Sequence, residues 1–290
     1  MNKLWLNGQV VPADQAKISV FDRGFLFGDG IYEVVPLYAG KPFLFDDHMA
    51  RLERSLQAIS IPMPMPRSQW LEVIDALSDN LTDGNGVLYI QVTRGEEFPR
   101  SHLPGTDLTP TVMATLTPFS PPSGEPIPAR VSLMEDNRWL RCDIKSISLL
   151  GGIMGKLAAH QDGTAEPLLH RAGRVTEGAT CNYFIVQNNT LITAPADTLI
   201  LAGITRDWVI KLARDHGIPV EERAFSVAEL YAADECFLTS STREIMPVSM
   251  VSEQTIGDGQ IGPVTQQLIQ LFRSSRPQAN HVKVVHENQI

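Results

Sequence analysis

Apolar residues along this chain follow two periodicities. Short runs of strand formers alternate with longer stretches in which apolar positions recur three and four apart, and turn residues separate them. Leu4-Trp5-Leu6, Asn7-Gly8 and Gln9-Val10-Val11 predict a tight hairpin, since Asn-Gly accepts the positive φ of a two-residue turn. Strand formers fill Ile31 to Tyr38, Ala39-Gly40 offers a turn, and Lys41 to Phe45 a return strand. Asp46 stands as the cap of a helix that carries Met49, Leu52, Leu56 and Ile59 on one stripe and Arg51 off it. A second helix is predicted from Arg67 to Leu81. A buried strand over Val87 to Thr93 stops at Arg94-Gly95, and another covers Thr109 to Thr117.

Prolines and small polar residues then fill Phe119 to Pro128, with no periodic apolar content. This divides the chain into a first domain over residues 1–119, a linker over 120–128 and a second domain over 129–290. Beyond the linker the pattern predicts a strand over Ala129 to Met134, a Gly-rich helix over Leu150 to His160 and a short strand at Val175-Thr176-Glu177-Gly178. Further strands fall at Tyr183 to Val186, Leu191 to Thr193 and Phe237 to Thr239, with a helix over Thr205 to His216. An α+β first domain joined to a more barrel-like second one accounts for this order. The last ten residues, with His281 and His286, carry no pattern.

Composition narrows the class. The chain has 290 residues, 43% of them hydrophobic and 20% charged, enough for a sizeable core. Its 24 Lys and Arg against 33 Asp and Glu give a net charge of −9 without a basic run, which argues against nucleic acid as a partner. No stretch approaches the length of a membrane span, and no cleavable leader is evident. Cys142, Cys181 and Cys236 are odd in number and widely spaced, which fits a reducing compartment, so a cytoplasmic protein is expected. The seven histidines never fall at metal-ligand spacing, so no metal is expected.

Several motifs fail on their details. Gly151-Gly152-Ile153-Met154-Gly155-Lys156 lacks the first glycine and the Ser/Thr of a phosphate loop, and Gly28-Asp29-Gly30 lacks the third glycine of a dinucleotide fold. Four segments carry more. Lys145 lies in a short alternating strand, Asp143-Ile144-Lys145-Ser146-Ile147, that runs into an apolar segment, and a half-buried lysine loses its charge near neutrality and becomes a base or nucleophile. Glu177 presents a carboxylate at a turn. Gly203-Ile204-Thr205-Arg206 opens a helix whose free N–H groups form an anion site, and Thr239-Ser240-Ser241-Thr242 supplies consecutive hydroxyls.

Taken singly these segments are bland, but Asp-Ile-Lys-Ser, Val-Thr-Glu-Gly-Ala-Thr-Cys-Asn, Gly-Ile-Thr-Arg and the hydroxyls at 239–242 stand in the order and spacing of one family. The chain resembles the fold-type IV pyridoxal phosphate enzymes over nearly its whole length. Asp22-Arg23-Gly24-Phe25-Leu26-Phe27-Gly28-Asp29-Gly30-Ile31-Tyr32-Glu33 and His48-Met49-Ala50-Arg51-Leu52 are most similar to its D-amino acid aminotransferases. The resemblance implies a two-domain architecture, with a smaller N-terminal α/β domain and a larger C-terminal pseudo-barrel domain that binds the cofactor. It implies pyridoxal 5'-phosphate on Lys145 as the Schiff-base lysine and Glu177 against the pyridine nitrogen. The phosphate would be held by Arg51, the backbone of Ile204 and Thr205, and the hydroxyls of Ser240 and Ser241.

Arg100-Ser101-His102 matches the Arg-x-His pair that, with a tyrosine matching Tyr32, traps the substrate α-carboxylate in those enzymes, the pair coming from the neighbouring subunit. Arginine suits this task because its planar fork binds a carboxylate bidentately. A homodimer is therefore implied, with D-amino acids such as D-alanine or D-glutamate and 2-oxo acids such as 2-oxoglutarate as substrates, and Lys145 as the proton-transfer group. An (R)-selective amine transaminase, a branched-chain aminotransferase and an aminodeoxychorismate lyase would share the cofactor. A non-catalytic small-molecule binder would share only the fold.

Overall fold

The computed structural model describes residues 3–278, so His281 and His286 lie outside the described residues. Asn7 and Gly8 both take positive φ, at 46° and 93°, and join β1 (Lys3–Leu6) to β2 (Gln9–Pro12) as the Asn-Gly pair predicts. A one-turn helix that the hydrophobic pattern does not reveal, α1 (Arg23–Phe27), precedes β3 (Gly30–Tyr38). Ala39 and Gly40, again at positive φ, turn the chain into β4, which is only Lys41–Pro42. Helix α2 (Phe45–Ala58) starts one residue before the expected cap. Leu44 is the N-cap residue and makes no side-chain bond, while Asp46 and Asp47 lie inside the first turn, where their charge still favours the helix dipole. Helix α3 (Arg67–Leu77) ends sooner than its pattern suggests, passing into a 3-10 turn at Ser78–Asn80. Strands β5 (Gly86–Thr93) and β6 (Thr111–Pro118) complete a six-stranded sheet in the order β2-β1-β6-β5-β3-β4.

Every neighbouring pair in that sheet is antiparallel, which makes this half α+β in the strict sense. Met49, Leu52 and Leu56 of α2 and Trp70, Val73, Ile74 and Leu77 of α3 cover its inner face, against Ile31, Val35, Leu88, Ile90 and Leu116. Arg51, on the same helix, is nevertheless buried, because its side chain reaches past the stripe into the site described below.

No helix or strand occurs between Phe119 and Pro128. After it come β7 (Ala129–Glu135), α4 (Leu150–Gln161), β8 (Pro167–Arg171), β9 (Arg174–Gly178), β10 (Asn182–Gln187), β11 (Thr190–Thr193), α5 (Ile204–Asp215) and β12 (Val220–Glu222). They are followed by α6 (Val227–Tyr231), β13 (Glu235–Ser240), β14 (Glu244–Val251), β15 (Gln254–Thr255) and α7 (Pro263–Ser275). The strands form one mixed sheet, β12-β11-β10-β13-β14-β7-β8-β9, with β15 on β14. It curls so that its last strand packs back toward β10. Helices α5 and α7 close one face through Val209, Leu212, Leu268 and Phe272, and Tyr38 and Phe43 from the first sheet enter the same core. Among the described residues no helix is long and apolar enough to cross a membrane.

Candidate active site

The two sheets meet at a cavity of about 300 Å³. Tyr32 and Arg51 reach it from the first half, Lys145 from the segment before α4, Glu177 from the end of β9, Asn182 from the start of β10, Ile204 and Thr205 from the start of α5, and Ser240 and Ser241 from the end of β13. Eight of the ten residues singled out in the sequence thus line one space. Arg100 and His102 do not. They sit exposed on the loop between β5 and β6, away from the lining of their own chain's cavity.

Lys145 is not in a regular strand. The stretch around it lies along the open edge of β3, with Tyr32 N–H donating to Lys145 O at 3.0 Å, Ile147 N–H to Gly30 O at 3.1 Å, and a single bridge between Ile31 and Ser146. Pairing extends over too few residues for a strand because Leu149 already caps α4. The result is a rigidly held backbone from which the Lys145 ammonium lies over the Tyr32 ring, 4.3 Å from its centroid. Burial brings the ammonium down to about 8, and Arg51 pushes the same way against Glu33 and Glu177. Burial also raises the Tyr32 phenol to about 12, so Tyr32 stays a neutral donor.

At one end of the cavity is an anion cradle. Gly203, in extended conformation, caps α5 without a side-chain bond, so the first N–H groups of the helix have no partner of their own. Arg51 is held rigidly beside it. Its Nε and Nη2 donate to the two oxygens of Glu33 at 3.0 and 2.6 Å, and Nη1 donates to Ala202 O at 3.0 Å. Glu33 is wholly buried. Burial would raise its carboxyl, but Arg51 and His48, whose Nδ1 lies 2.9 Å from Oε1, hold it well below the usual range. Nearby, the buried Thr239 Oγ1 lines the cavity with no hydrogen-bond partner among the described residues. An orphaned hydroxyl beside an arginine fork, a helix start and two serines is the donor set a phosphate dianion requires.

In the same cavity Glu177 accepts from Arg138 Nη1 at 2.6 Å, from Asn182 Nδ2 at 3.0 Å and from Leu201 N–H at 3.1 Å. Burial pushes its carboxyl up to about 7 against the pull of Arg138 and Leu201. Arg138 is in turn forked onto Asp136 through Nε and Nη2, both at 2.9 Å, and these contacts overcome burial and keep it charged. Asp136 also accepts from Thr176 and Arg171. A cation set against Glu177 would keep it ionised.

Gly203 is required here, since a Cβ would lie 2.1 Å from Asn182 Oδ1 and would displace the amide that donates to Glu177. Sequence reasoning gave no role of their own to Glu33, His48, Arg138 and Asn182. Glu33, His48 and Asn182 stand in the motifs that carry the resemblance, so they carried a signal, and Thr239 was already among the hydroxyls at 239–242. Arg138 carried none: Asp136 lies two residues before it, just past β7, but Glu177 and Arg171, which complete the network, come from β9 and β8. Two of the three free, buried cysteines, Cys142 and Cys181, also line the cavity, with thiols that burial pushes up.

A family model for class IV amino-transferases matches residues 30–251, most of the chain and every residue of the cavity described above. The chain belongs to the class IV aminotransferases. It is 40% identical over 275 residues to a D-alanine aminotransferase of Listeria monocytogenes, covering 93% of this chain and 94% of that protein. The branched-chain amino acid aminotransferase of Escherichia coli superposes with a TM-score of 0.87 at 25% identity, over 98% of this chain and 97% of the other. The branched-chain amino acid aminotransferase of T.th., solved with pyridoxamine 5'-phosphate, superposes at 0.85 with 25% identity, over 96% of each chain. Class IV aminotransferases depend on pyridoxal phosphate, and the anion cradle and the buried carboxylate that line this one cavity fit that cofactor.

Proposed function

We propose that this chain transfers the amino group of a D-amino acid, such as D-alanine or D-glutamate, to a 2-oxo acid such as 2-oxoglutarate, with pyridoxal 5'-phosphate in the cavity. The observation that carries the reading is a single space lined by Lys145, whose amine burial brings down to about 8, by a phosphate cradle and by a buried carboxylate. Similarity to D-alanine aminotransferases supports the D-substrate. When bound, the cofactor supplies an electron sink for the substrate Cα.

The residues divide the remaining work. Arg51, the N–H groups of Ile204 and Thr205, and the hydroxyls of Ser240, Ser241 and Thr239 hold the phosphate. Glu177, backed by Arg138 and Asn182, holds a proton on the ring nitrogen by charge. Lys145 Nζ takes the proton from Cα of the amino acid and, in the return half-reaction, delivers one to Cα of the product, which suits an amine near its pKa at mildly alkaline pH. Tyr32 donates its phenol to the substrate carboxylate. Arg100 and His102 bind that carboxylate from the partner copy in a cytoplasmic homodimer. The exposed apolar side chains of Leu150, Ile153, Met154 and Leu157 on α4, at the cavity's rim, support that assembly.

A single-turnover spectrum tests the reading. D-alanine is expected to bleach the visible band of the cofactor-loaded protein, while L-leucine and (R)-1-phenylethylamine leave it. Bleaching by either of the latter two alone would overturn the substrate assignment.

A further inference from the structure

The loop that carries Arg100 and His102 is exposed, yet its backbone is fastened from below by one buried residue. Arg23, in the one-turn helix α1, donates through Nη1 to Ser101 O at 2.6 Å and to Glu97 Oε2 at 2.5 Å, and through Nη2 to His102 O at 3.0 Å. Its Nε donates to Asp29 at 2.9 Å, and Arg94 forks onto the same carboxylate. Glu97 also accepts from Gly105 N–H at 2.8 Å, so both ends of the loop are tied to one network. Two arginines and two carboxylates cancel there. One turn after Arg23, Phe27 offers its ring to both sides. Arg23 lies 4.8 Å from its centroid, Arg100 lies 4.4 Å from it, and the His102 ring is 5.6 Å away. Among the described residues no carboxylate pairs with Arg100 and no hydrogen bond engages the His102 ring. The backbone is committed and the two side chains are not.

We propose that Arg23 and Phe27 are positioning residues for substrate recognition, holding Arg100 and His102 at a fixed reach and angle so that their free donors meet the α-carboxylate as one preformed unit. The inference rests on the carboxylate role given to Arg100 and His102 above, and adds what makes an exposed loop precise enough to perform it. Binding through a preordered loop backbone avoids the entropy of ordering that segment on each encounter, so loss of the scaffold falls on substrate binding rather than on proton transfer.

The test compares Arg23→Met and Phe27→Leu, each alone and combined with Arg100→Ala, in the cofactor-loaded protein. Phe27→Leu keeps apolar bulk and serves if Arg23→Met folds poorly. The expected result is a KM for D-alanine raised about tenfold with kcat changed less than about twofold, and an unaltered visible band. Propionate, which has a carboxylate and no amine, gives a readout without turnover: its Kd, read from perturbation of the band, rises by a similar factor. In the Arg100→Ala background both substitutions lose most of their effect, because they act through Arg100. A fall in kcat or in cofactor retention without the rise in KM overturns the proposal, as does an effect that persists undiminished beside Arg100→Ala. If Arg100→Ala shifts KM and neither scaffold variant does, the scaffold alone is wrong. If Arg100→Ala leaves KM unchanged, the carboxylate role fails and the scaffold with it.

Discussion

The cavity around Lys145 and the loop around Arg100 solve opposite problems. The cavity is built from buried charges whose partners lie on several elements of the same chain. Arg51 answers Glu33 and Arg138 answers Glu177 and Asp136, while Thr239 Oγ1 and the first N–H groups of α5 stay open to a ligand. Such pairs contribute little net stability but are costly to break, about 3–5 kcal/mol when one partner is removed, so the geometry is fixed before any ligand arrives. The loop puts Arg100 and His102 in solvent and fixes only the backbone beneath them. On the function proposed above, the proton-transfer groups all come from one chain, while Arg100 and His102 read the carboxylate from its partner. The contrast teaches that loss of a cavity residue and loss of a loop residue have different consequences.

Lys145→Ala removes the group placed to move the Cα proton and is expected to lower kcat at least about a hundredfold, with the fold intact by circular dichroism. A rate above a tenth of wild type would remove Lys145 from that role and with it the sharpest part of the contrast. Arg100→Ala is expected to weaken D-alanine by about 2–4 kcal/mol in kcat/KM.

Mixing these two variants and assaying them at D-alanine far below the KM of Arg100→Ala tests the displacement directly. If the loop serves the partner copy, a hybrid dimer carries one site with both lesions and one with neither. Random exchange then restores about a quarter of wild-type activity, since half the dimers are hybrid and each has one intact site. If the loop serves its own chain, every site keeps one lesion and mixing restores nothing.

What the sequence made legible follows the same divide. Groups that act through local backbone were readable. The start of α5 at Gly203-Ile204 is a local signal, and Asn7-Gly8 and Ala39-Gly40 announce their turns. Glu33 reads only as one more strand residue until α2 brings Arg51 against it, and Arg138 reads as a lone arginine until Glu177, far along the chain, joins Asp136 in accepting from it. Helix α1 is too short for any apolar stripe to form, so nothing in the pattern predicts that Arg23 and Phe27, four apart, face one loop. Lys145 was found by its motif, but its strand was not there, because edge pairing with β3 ends after a few residues.

The last expected effect is on stability rather than on rate, and is read in the cofactor-free protein. Burial raises the Glu177 carboxyl to about 7 from its ordinary 4.5, so between those values the folded chain keeps a proton that the unfolded chain has released. Stability therefore falls as pH rises through that window. Lys145 behaves in the opposite way: its folded value is about 8 against 10.5, the unfolded chain holds the extra proton in between, and stability rises with pH from 8 to 10.5. Each limb has a slope of at most about 1.4 kcal/mol per pH unit. Urea unfolding at pH 5, 7, 8 and 10 is expected to trace a minimum near 7 to 8. Glu177→Gln should flatten the acid limb and Lys145→Met the alkaline one, whereas Arg100→Ala, on the exposed loop, should leave both in place. Parallel profiles for Glu177→Gln and wild type would mean that Arg138 and Leu201 outweigh burial, so that Glu177 is ionised before the cofactor binds.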